Sequence, residues 1–317
     1  KRRPPGSTVL PDPTLFRSCV PETMSAEHLL PEVAEVLDEP NEDRIEFCRQ
    51  DRWVGYTAAI KALDELDDLR NFPKNLRPNN ILLVARSGNG KSSIIDYFVK
   101  RHPMGATEEG KLVVPVLKVE MPSKPDESEF WSLILWILGI SHREGDRAAH
   151  KKRQAKSAMV YANVQMLALD EFNNVAEAGR ATADLLAAIR NLSNELRIPI
   201  VAAGTEKAIN ALNLDPQLKS RFEPIALPKW SLDKEYLSFL ASYEQLLPLA
   251  KPSKLIEREL ATTVFSMAGN TIGQTVKLLR RASVAAIESG TEQITLDLLK
   301  SLEWTRSDGW DTVARSV

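Results

Sequence analysis

The chain has 317 residues, of which 43% are hydrophobic and 26% are charged, and its formal net charge at pH 7 is −2. A chain of this length can bury a hydrophobic core that is stable without disulfide bonds or a structural metal ion. Its two cysteines are too few for a disulfide framework or a cysteine-based zinc site, and they are compatible with a reducing cytoplasm. No apolar run approaches the roughly 18 residues of a membrane helix, so no membrane partner is predicted. The charge balance excludes a protein that is basic throughout, but it is compatible with a local basic face.

An extended N-terminal arm is predicted over residues 1–42. The first forty residues contain seven of the 19 prolines, and proline both interrupts helices and lacks the N–H that a β-ladder needs. Residues 32–46 carry seven carboxylates and one arginine, so this stretch is either a solvated helix or linker or a segment that docks on a partner. We expect regular structure to begin near Asp51.

Residues 43–228 are predicted to form an α/β domain. Short apolar runs alternate with helical patterns, and the runs lie at residues 81–84, 113–119, 166–169, 198–203 and 224–227. Buried apolar strands that alternate with helices indicate a parallel sheet covered on both faces. After Pro228 only helical patterns follow, which predicts a small all-helical domain over residues 229–303 and a tail over 304–317.

A phosphate-binding loop is predicted between the first strand and the helix that follows it. Gly88 and Gly90 allow backbone N–H groups to turn toward an anion, and the positive end of the next helix dipole points to the same place. Lys91 can reach the β and γ phosphates of ATP, and the Ser92 hydroxyl is placed to hold Mg²⁺. Ala85 stands where the usual pattern has glycine. The nucleotide-binding residues are predicted to be Ser87, Gly88, Asn89, Gly90, Lys91, Ser92 and Ser93.

Two adjacent carboxylates, Asp170 and Glu171, follow the third apolar run. Ligands of such sheets bind at the carboxyl ends of the strands. We therefore expect Asp170 to hold Mg²⁺ through water and Glu171 to act as the general base on an attacking water. Acidic residues in the first turn of a helix are the alternative interpretation.

Two further catalytic candidates follow the fourth apolar run. Thr205 ends this run, where its hydroxyl can face the γ-phosphate, although it could instead simply cap the next helix. Arg221 lies just before the fifth run, where it can project into a neighbouring subunit and neutralise charge in the transition state. A surface salt bridge is the alternative role for Arg221.

Taken in this order, the residues resemble those of an AAA+ ATPase, with a P-loop parallel-sheet domain followed by a small helical lid. More narrowly, the chain resembles the TniB/TnsC ATPases of transposition systems over residues 43–302. The narrower resemblance rests on Asp-Arg-Trp-Val-Gly-Tyr at residues 51–56, on the Asn-Gly-Lys-Ser end of the loop, and on Gly-Asn-Thr-Ile-Gly-Gln at residues 269–274.

The resemblance implies roles for residues outside the loop. It places Val54 and Tyr56 against the adenine base, with plain core packing as the alternative. It also places Gln274 at a lid position that is usually an arginine facing the γ-phosphate. If no lid cation replaces that arginine, hydrolysis is expected to be slow.

The resemblance further implies ATP-dependent assembly into a ring or a helical filament, hexameric per turn, around duplex DNA. Residues 143–156 carry six cations and two carboxylates. No base-reading motif is visible, so DNA binding should be independent of sequence. A solvated helix face is the alternative role for this basic run. The candidate phosphate contacts are Lys118, Lys124, Lys151, Lys152 and Arg153.

The function implied by this resemblance is a transposition regulator that selects target DNA, recruits a transposase, is reset by ATP hydrolysis and works with a target-selection protein. One alternative is an initiator or loader ATPase of replication, which would be expected to carry a DNA-binding domain after the lid. Another is an ATP-gated scaffold with negligible hydrolysis, which Ala85 and Gln274 favour and which Glu171 and Arg221 disfavour.

Overall fold

The computed structural model describes residues 27–305. Most of the predicted arm and most of the predicted tail therefore lie outside the described residues. Within this range, no helix is both long enough and apolar enough to cross a membrane.

A five-stranded parallel sheet is the centre of the fold and confirms the predicted α/β class. The strands of the domain are β1 (Asn80–Val84), β2 (Gly105–Ala106), β3 (Leu112–Val113), β4 (Val116–Glu120), β5 (Met166–Asp170), β6 (Ile200–Gly204) and β7 (Phe222–Ala226). The parallel sheet has the order β4-β5-β6-β1-β7, and a separate antiparallel hairpin pairs β2 with β3. Because the five sheet strands are parallel, all of their carboxyl ends meet at one edge.

Proline accounts for two details of the sheet. The predicted run 113–119 is divided, since Leu112–Val113 pairs with β2 while β4 begins only at Val116. Pro115 between them has no N–H to give to a ladder, although its carbonyl accepts from the N–H groups of Gln165 and Met166. Pro224 lies within β7, which is an edge strand, where a missing donor is tolerated.

Helices cover both faces of the sheet. Leu82 and Leu83 are adjacent in β1 and belong to different core clusters, because successive side chains of a strand point to opposite faces. A 3-10 helix follows β5 at Phe172–Ala181. The α-helices of this domain are α3 (Thr57–Asn71), α4 (Lys91–Arg101), α5 (Glu127–Ile137), α6 (Ala148–Tyr161), α7 (Thr182–Leu196), α8 (Glu206–Leu212) and α9 (Pro216–Lys219).

A small helical lid follows the sheet domain. It consists of α10 (Lys234–Glu244), α11 (Arg258–Ala268), α12 (Ile272–Glu288) and α13 (Leu296–Ser301). The side chain of Asp233 accepts from the N–H groups of Glu235 and Tyr236, and Thr295 accepts from the N–H of Leu298. These caps satisfy backbone donors at the first turns of α10 and α13.

Regular structure begins earlier than the predicted start near Asp51. Helix α1 (Pro31–Ala34), a short 3-10 helix (Glu35–Asp38) and α2 (Asn41–Arg49) precede that residue. Pro31 is the first residue of α1 and Pro40 is the N-cap of α2, and proline is tolerated at helix starts because their N–H groups lack helical partners.

Helix α2 packs on the lid helix α12. The buried Arg44 of α2 donates to the Glu292 carboxylate and, at 2.8 Å, to the Pro248 carbonyl oxygen. The acidic stretch is therefore a helical segment with exposed carboxylates, and Arg44 anchors it to the lid.

Candidate nucleotide-binding site

The loop between β1 and α4 has the geometry of a phosphate-binding loop. Gly88 and Gly90 have φ values of 70° and 85°, which favour glycine. Ala85 does not have a positive φ, so an alanine is tolerated where the usual pattern has glycine. The Nζ atom of Lys91 donates to the carbonyl oxygens of Ala85 and Arg86, each at 3.1 Å. Burial lowers the pKa of Lys91, and the charges of Glu171 and Asp170 oppose that shift.

The Ser92 hydroxyl and the Asp170 carboxylate meet at the carboxyl edge of the sheet. Ser92 Oγ donates to Asp170 Oδ1 at 3.2 Å, and Asp170 is buried. A hydroxyl and a carboxylate this close are oxygen ligands of the kind that Mg²⁺ accepts, so the predicted metal residues fit the ion.

Lys118 lies in this site and not on an open basic surface. Its Nζ is 3.4 Å from Asp170 Oδ2 and also pairs with Asp96 of α4. Burial alone would lower the Lys118 pKa, but its hydrogen bonds and the charges of Asp96 and Asp170 raise it overall. The ammonium group of Lys118 is engaged by two carboxylates beside the phosphate loop, an arrangement that favours a role in this site over the predicted DNA contact.

Glu171 follows β5 in the left-handed conformation, with φ 51° and ψ 37°. Its Oε2 accepts from Asn173 Nδ2 at 3.1 Å, and Asn173 Oδ1 accepts from the N–H of Thr205 at 3.4 Å. Thr205 is the N-cap residue of α8, but its side chain makes no capping hydrogen bond. The structure thus brings Glu171 and Thr205 together through Asn173. Asn173 is not among the residues predicted from the sequence, where its only local signal is a polar side chain two positions after Glu171.

A cavity of about 820 Å³ lies between the phosphate loop, the segment 51–56 and the lid. Val54 and Tyr56 both line it, and the ring of Trp53 stacks on Tyr97 with centroids 4.3 Å apart. Tyr56 also packs edge-on against Trp230 in the core, and burial raises the pKa of its phenol to about 12. Tyr56 therefore packs in the core, as the alternative interpretation expected, and also lines the cavity in which the adenine contact is predicted.

The lid contacts the phosphate loop through main-chain atoms. The N–H of Gly273 in α12 donates to the Gly88 carbonyl oxygen at 2.9 Å. Gln274 is not among the residues that line the cavity, whereas Lys277 and Arg280 from the following turns are. Arg280 also forms a 2.9 Å ion pair with Asp51.

Arg221 lies at the opposite edge of the sheet from the phosphate loop. It directly precedes β7, and its carbonyl oxygen accepts from the N–H of Asn80, the first residue of β1. Its guanidinium donates to the side-chain oxygen of Asn194, and burial and the charge of Arg77 lower its pKa. Among the described residues, the Arg221 guanidinium donates to an amide oxygen and not to a carboxylate, which does not favour the alternative of a surface salt bridge.

The basic run begins in the loop before helix α6 and continues along that helix, and its cations differ in exposure. Lys151 is 3% exposed and donates to Ser128 Oγ and to the Glu144 carbonyl oxygen, so its predicted DNA contact is wrong because its amine is used inside the fold. Lys152 pairs with Glu127 at 3.5 Å. Arg153 on α6 and Lys124 in the loop after β4 are exposed.

The chain is similar to archaeal proteins of known structure. It matches the Aeropyrum pernix ORC1 protein in complex with DNA with a TM-score of 0.62 at 17% identity, covering 81% of this chain and 68% of that one. It matches the Aeropyrum pernix ORC2 protein (ADPNP–ADP complexes) with a TM-score of 0.59 at 20% identity, covering 76% and 65%. For Cdc6p from Pyrobaculum aerophilum the TM-score is 0.56 at 16% identity, covering 78% and 67%. These matches show the fold, and the chain spans 65% of the ORC2 protein's length.

A comparison with curated protein sequences gave no match. The family model described as "Bacterial TniB protein" matches residues 44–232, which include the phosphate loop, the acidic pair and all five strands of the parallel sheet. This match covers more than half of the chain, and the similarity to the ORC and Cdc6 structures supports the predicted AAA+ fold, so the chain has that fold and belongs to the TniB family.

Proposed function

We propose that this chain is an ATP-dependent, DNA-binding AAA+ ATPase that assembles on duplex DNA and recruits a transposase to it. The proposal is carried by one observation, the convergence of Lys91, Ser92, Glu171 and lid helix α12 on a single cavity. Its volume of about 820 Å³ is that of a small-molecule site and suits a nucleoside triphosphate. The transposition role follows from the resemblance to the TniB/TnsC group.

Each residue of the cavity has a distinct role in this proposal. The loop N–H groups and Lys91 bind the phosphates, and the triphosphate replaces the carbonyl oxygens that Lys91 now contacts. Ser92 and Asp170 hold Mg²⁺, which would neutralise charge on the phosphate oxygens. Glu171 accepts a proton from the attacking water, and Val54 and Tyr56 form the wall for the adenine base.

Arg221 acts in a neighbouring subunit. A five-residue strand such as β7 separates it from the edge that carries the phosphate loop of its own subunit, a distance of roughly 16 Å. Its side chain therefore cannot serve that site without a rearrangement. A ring or a helical filament, hexameric per turn, would bring it to the next subunit's γ-phosphate.

Duplex DNA is the proposed polymer on which the subunits assemble. Lys124, Lys152 and Arg153 keep their proposed role as phosphate contacts. Contacts of this kind bind DNA without reading its sequence, so target choice would be left to a separate target-selection protein.

Sedimentation velocity with a duplex of several helical turns tests the proposal. Three conditions are compared, namely no nucleotide, ADP and a non-hydrolysable ATP analogue, and Lys91→Ala serves as the control without nucleotide binding. Large DNA-bound complexes should form with the analogue only, and Lys91→Ala should form none.

The other outcomes select among the alternatives. No DNA-bound complex in any condition would overturn the DNA role. If DNA-bound complexes formed without measurable ATP hydrolysis, the result would favour an ATP-gated scaffold over an ATPase. Recruitment of a transposase is tested separately by pull-down with the analogue-bound complex, and failure there would favour the initiator or loader alternative.

A further inference from the structure

The side-chain amide of Asn173 links the ends of two neighbouring strands. Its Nδ2 donates to Glu171 Oε2 at 3.1 Å, and its Oδ1 accepts from the N–H of Thr205 at 3.4 Å. The orientation of this amide follows from its partners, because the carboxylate can only accept and the backbone N–H can only donate. Asn173 thus joins the proposed general base to Thr205, the residue that directly follows β6.

A second asparagine holds the first in place. Asn173 Nδ2 also donates to Asn174 Oδ1 at 3.1 Å, and Asn174 Nδ2 donates at 2.8 Å to the carbonyl oxygen of Met121, directly after β4. The network therefore spans the carboxyl ends of β4, β5 and β6. Networks whose members are all satisfied fix side-chain positions more strongly than single bonds.

Gly204 faces Asn173 and leaves room for its side-chain hydrogen bonds. A Cβ on Gly204 would lie 3.1 Å from the backbone nitrogen of Asn173 and 3.4 Å from its Oδ1. Any side chain at Gly204 would crowd Asn173 and Ala208, since the same Cβ would lie 2.6 Å from the Ala208 Cβ. The last residue of β6 is thus compatible with the Asn173 bridge only as glycine.

We infer that Asn173 is a positioning residue for ATP hydrolysis, which holds the Glu171 carboxylate toward the cavity and ties it to the end of β6 at Thr205. Asn173 occupies Oε2 and leaves Oε1 of Glu171 for the attacking water. An oriented base is the arrangement that general-base catalysis requires. This inference rests on the proposed ATPase function.

The test compares Asn173→Ala with Asn173→Asp. The aspartate is isosteric and keeps the acceptor for the Thr205 N–H, but it removes the donor and places a like charge beside Glu171. We expect kcat to fall by about tenfold in Asn173→Ala and by more in Asn173→Asp. The dissociation constant of a non-hydrolysable ATP analogue should change by less than about twofold in both.

Asn213→Asp is the matched control, because Asn213 is exposed and its Oδ1 contacts only Lys219 among the described residues. A merely structural role predicts that the isosteric aspartate is the milder variant. The inference would therefore be overturned if kcat of Asn173→Asp were equal to or higher than kcat of Asn173→Ala. Wild-type rates in both variants would overturn it too. Absence of hydrolysis in the wild-type protein would overturn the ATPase proposal itself. This result is distinguishable from a failure of the Asn173 inference, because it is seen in the wild-type protein alone.

In a Glu171→Gln background, Asn173→Ala should give no further loss of hydrolysis, since the group that it positions is gone. An additional loss of the same size as in the wild-type background would show that Asn173 acts on something other than Glu171. Analogue binding by each variant verifies that it is folded.

Discussion

The N–H of Gly273 in the lid donates to the carbonyl oxygen of Gly88 in the phosphate loop at 2.9 Å. A Cβ on Gly273 would lie 2.8 Å from that oxygen, closer than real Cβ contacts. The lid therefore meets the loop backbone to backbone, at the start of the helix where the related ATPases are expected to present an arginine.

Gly273→Ala should push α12 away from the phosphate loop and weaken binding of a non-hydrolysable ATP analogue. Overpacking costs about 1–3 kcal/mol, so a loss of about tenfold in affinity is expected by calorimetric titration. Gly145→Ala is the matched control, since a Cβ there meets no atom within 4 Å. Equal affinities for the two variants would show that the contact does not support the nucleotide site.

Arg221→Ala should bind the ATP analogue normally and lose hydrolysis, because the proposed site of action of this arginine is in another subunit. Mixing it with Glu171→Gln should restore part of the activity, since Arg221→Ala subunits keep the base and Glu171→Gln subunits keep the arginine. Steady-state phosphate release from the separate and mixed proteins measures this. A mixture no more active than the sum of its components would falsify the assignment in trans.

Substitutions of Lys118 and of Arg153 should have different effects, because we place Lys118 in the nucleotide site and propose Arg153 as a DNA contact. Lys118→Ala leaves the Asp96 and Asp170 carboxylates without their shared cation and should alter analogue affinity or hydrolysis. Arg153→Ala should leave both unchanged and reduce the slope of log Kd for DNA against log salt by about one unit. DNA titrations at several salt concentrations measure the slope, and an unchanged slope in Arg153→Ala would exclude a phosphate contact.

The Arg44–Glu292 pair should make the docking of α2 dependent on pH. Burial by itself would raise the Glu292 pKa, but hydrogen bonds from Arg44 and from the Ala250 N–H lower it below its ordinary value of 4.5. A carboxyl whose folded pKa is depressed stabilises the fold above its unfolded pKa, and this stabilisation is lost as the pH falls through the folded pKa.

Arg44→Met should destabilise the protein by about 3 kcal/mol at neutral pH, because Glu292 loses its buried partner. The loss of stability below pH 4.5 should be smaller in this variant than in the wild type. Denaturant unfolding at several pH values measures both effects. If the free energy of unfolding changed with pH in the same way in both proteins, the Arg44–Glu292 pair would not be the cause of the pH dependence.

Local patterns in the sequence were sufficient for the phosphate loop and the acidic pair. Glycines followed by Lys91 and Ser92, between an apolar strand and a helix, specify their own geometry, because the backbone conformation and the helix dipole are set within a few residues. The alternation of strands and helices likewise predicted the parallel sheet and the helical lid.

Which lysines are engaged by other groups, and which side chain contacts Glu171, could be seen only in the tertiary structure. Lys118 and Lys151 are charged residues in the sequence, yet the fold engages one with Asp170 and buries the other against Ser128. Arg44 meets Glu292 across 248 positions of the chain, which no local pattern encodes. Secondary-structure elements and the phosphate loop can be predicted from the amino-acid sequence because they depend on near neighbours, whereas contacts between residues distant in the chain depend on packing.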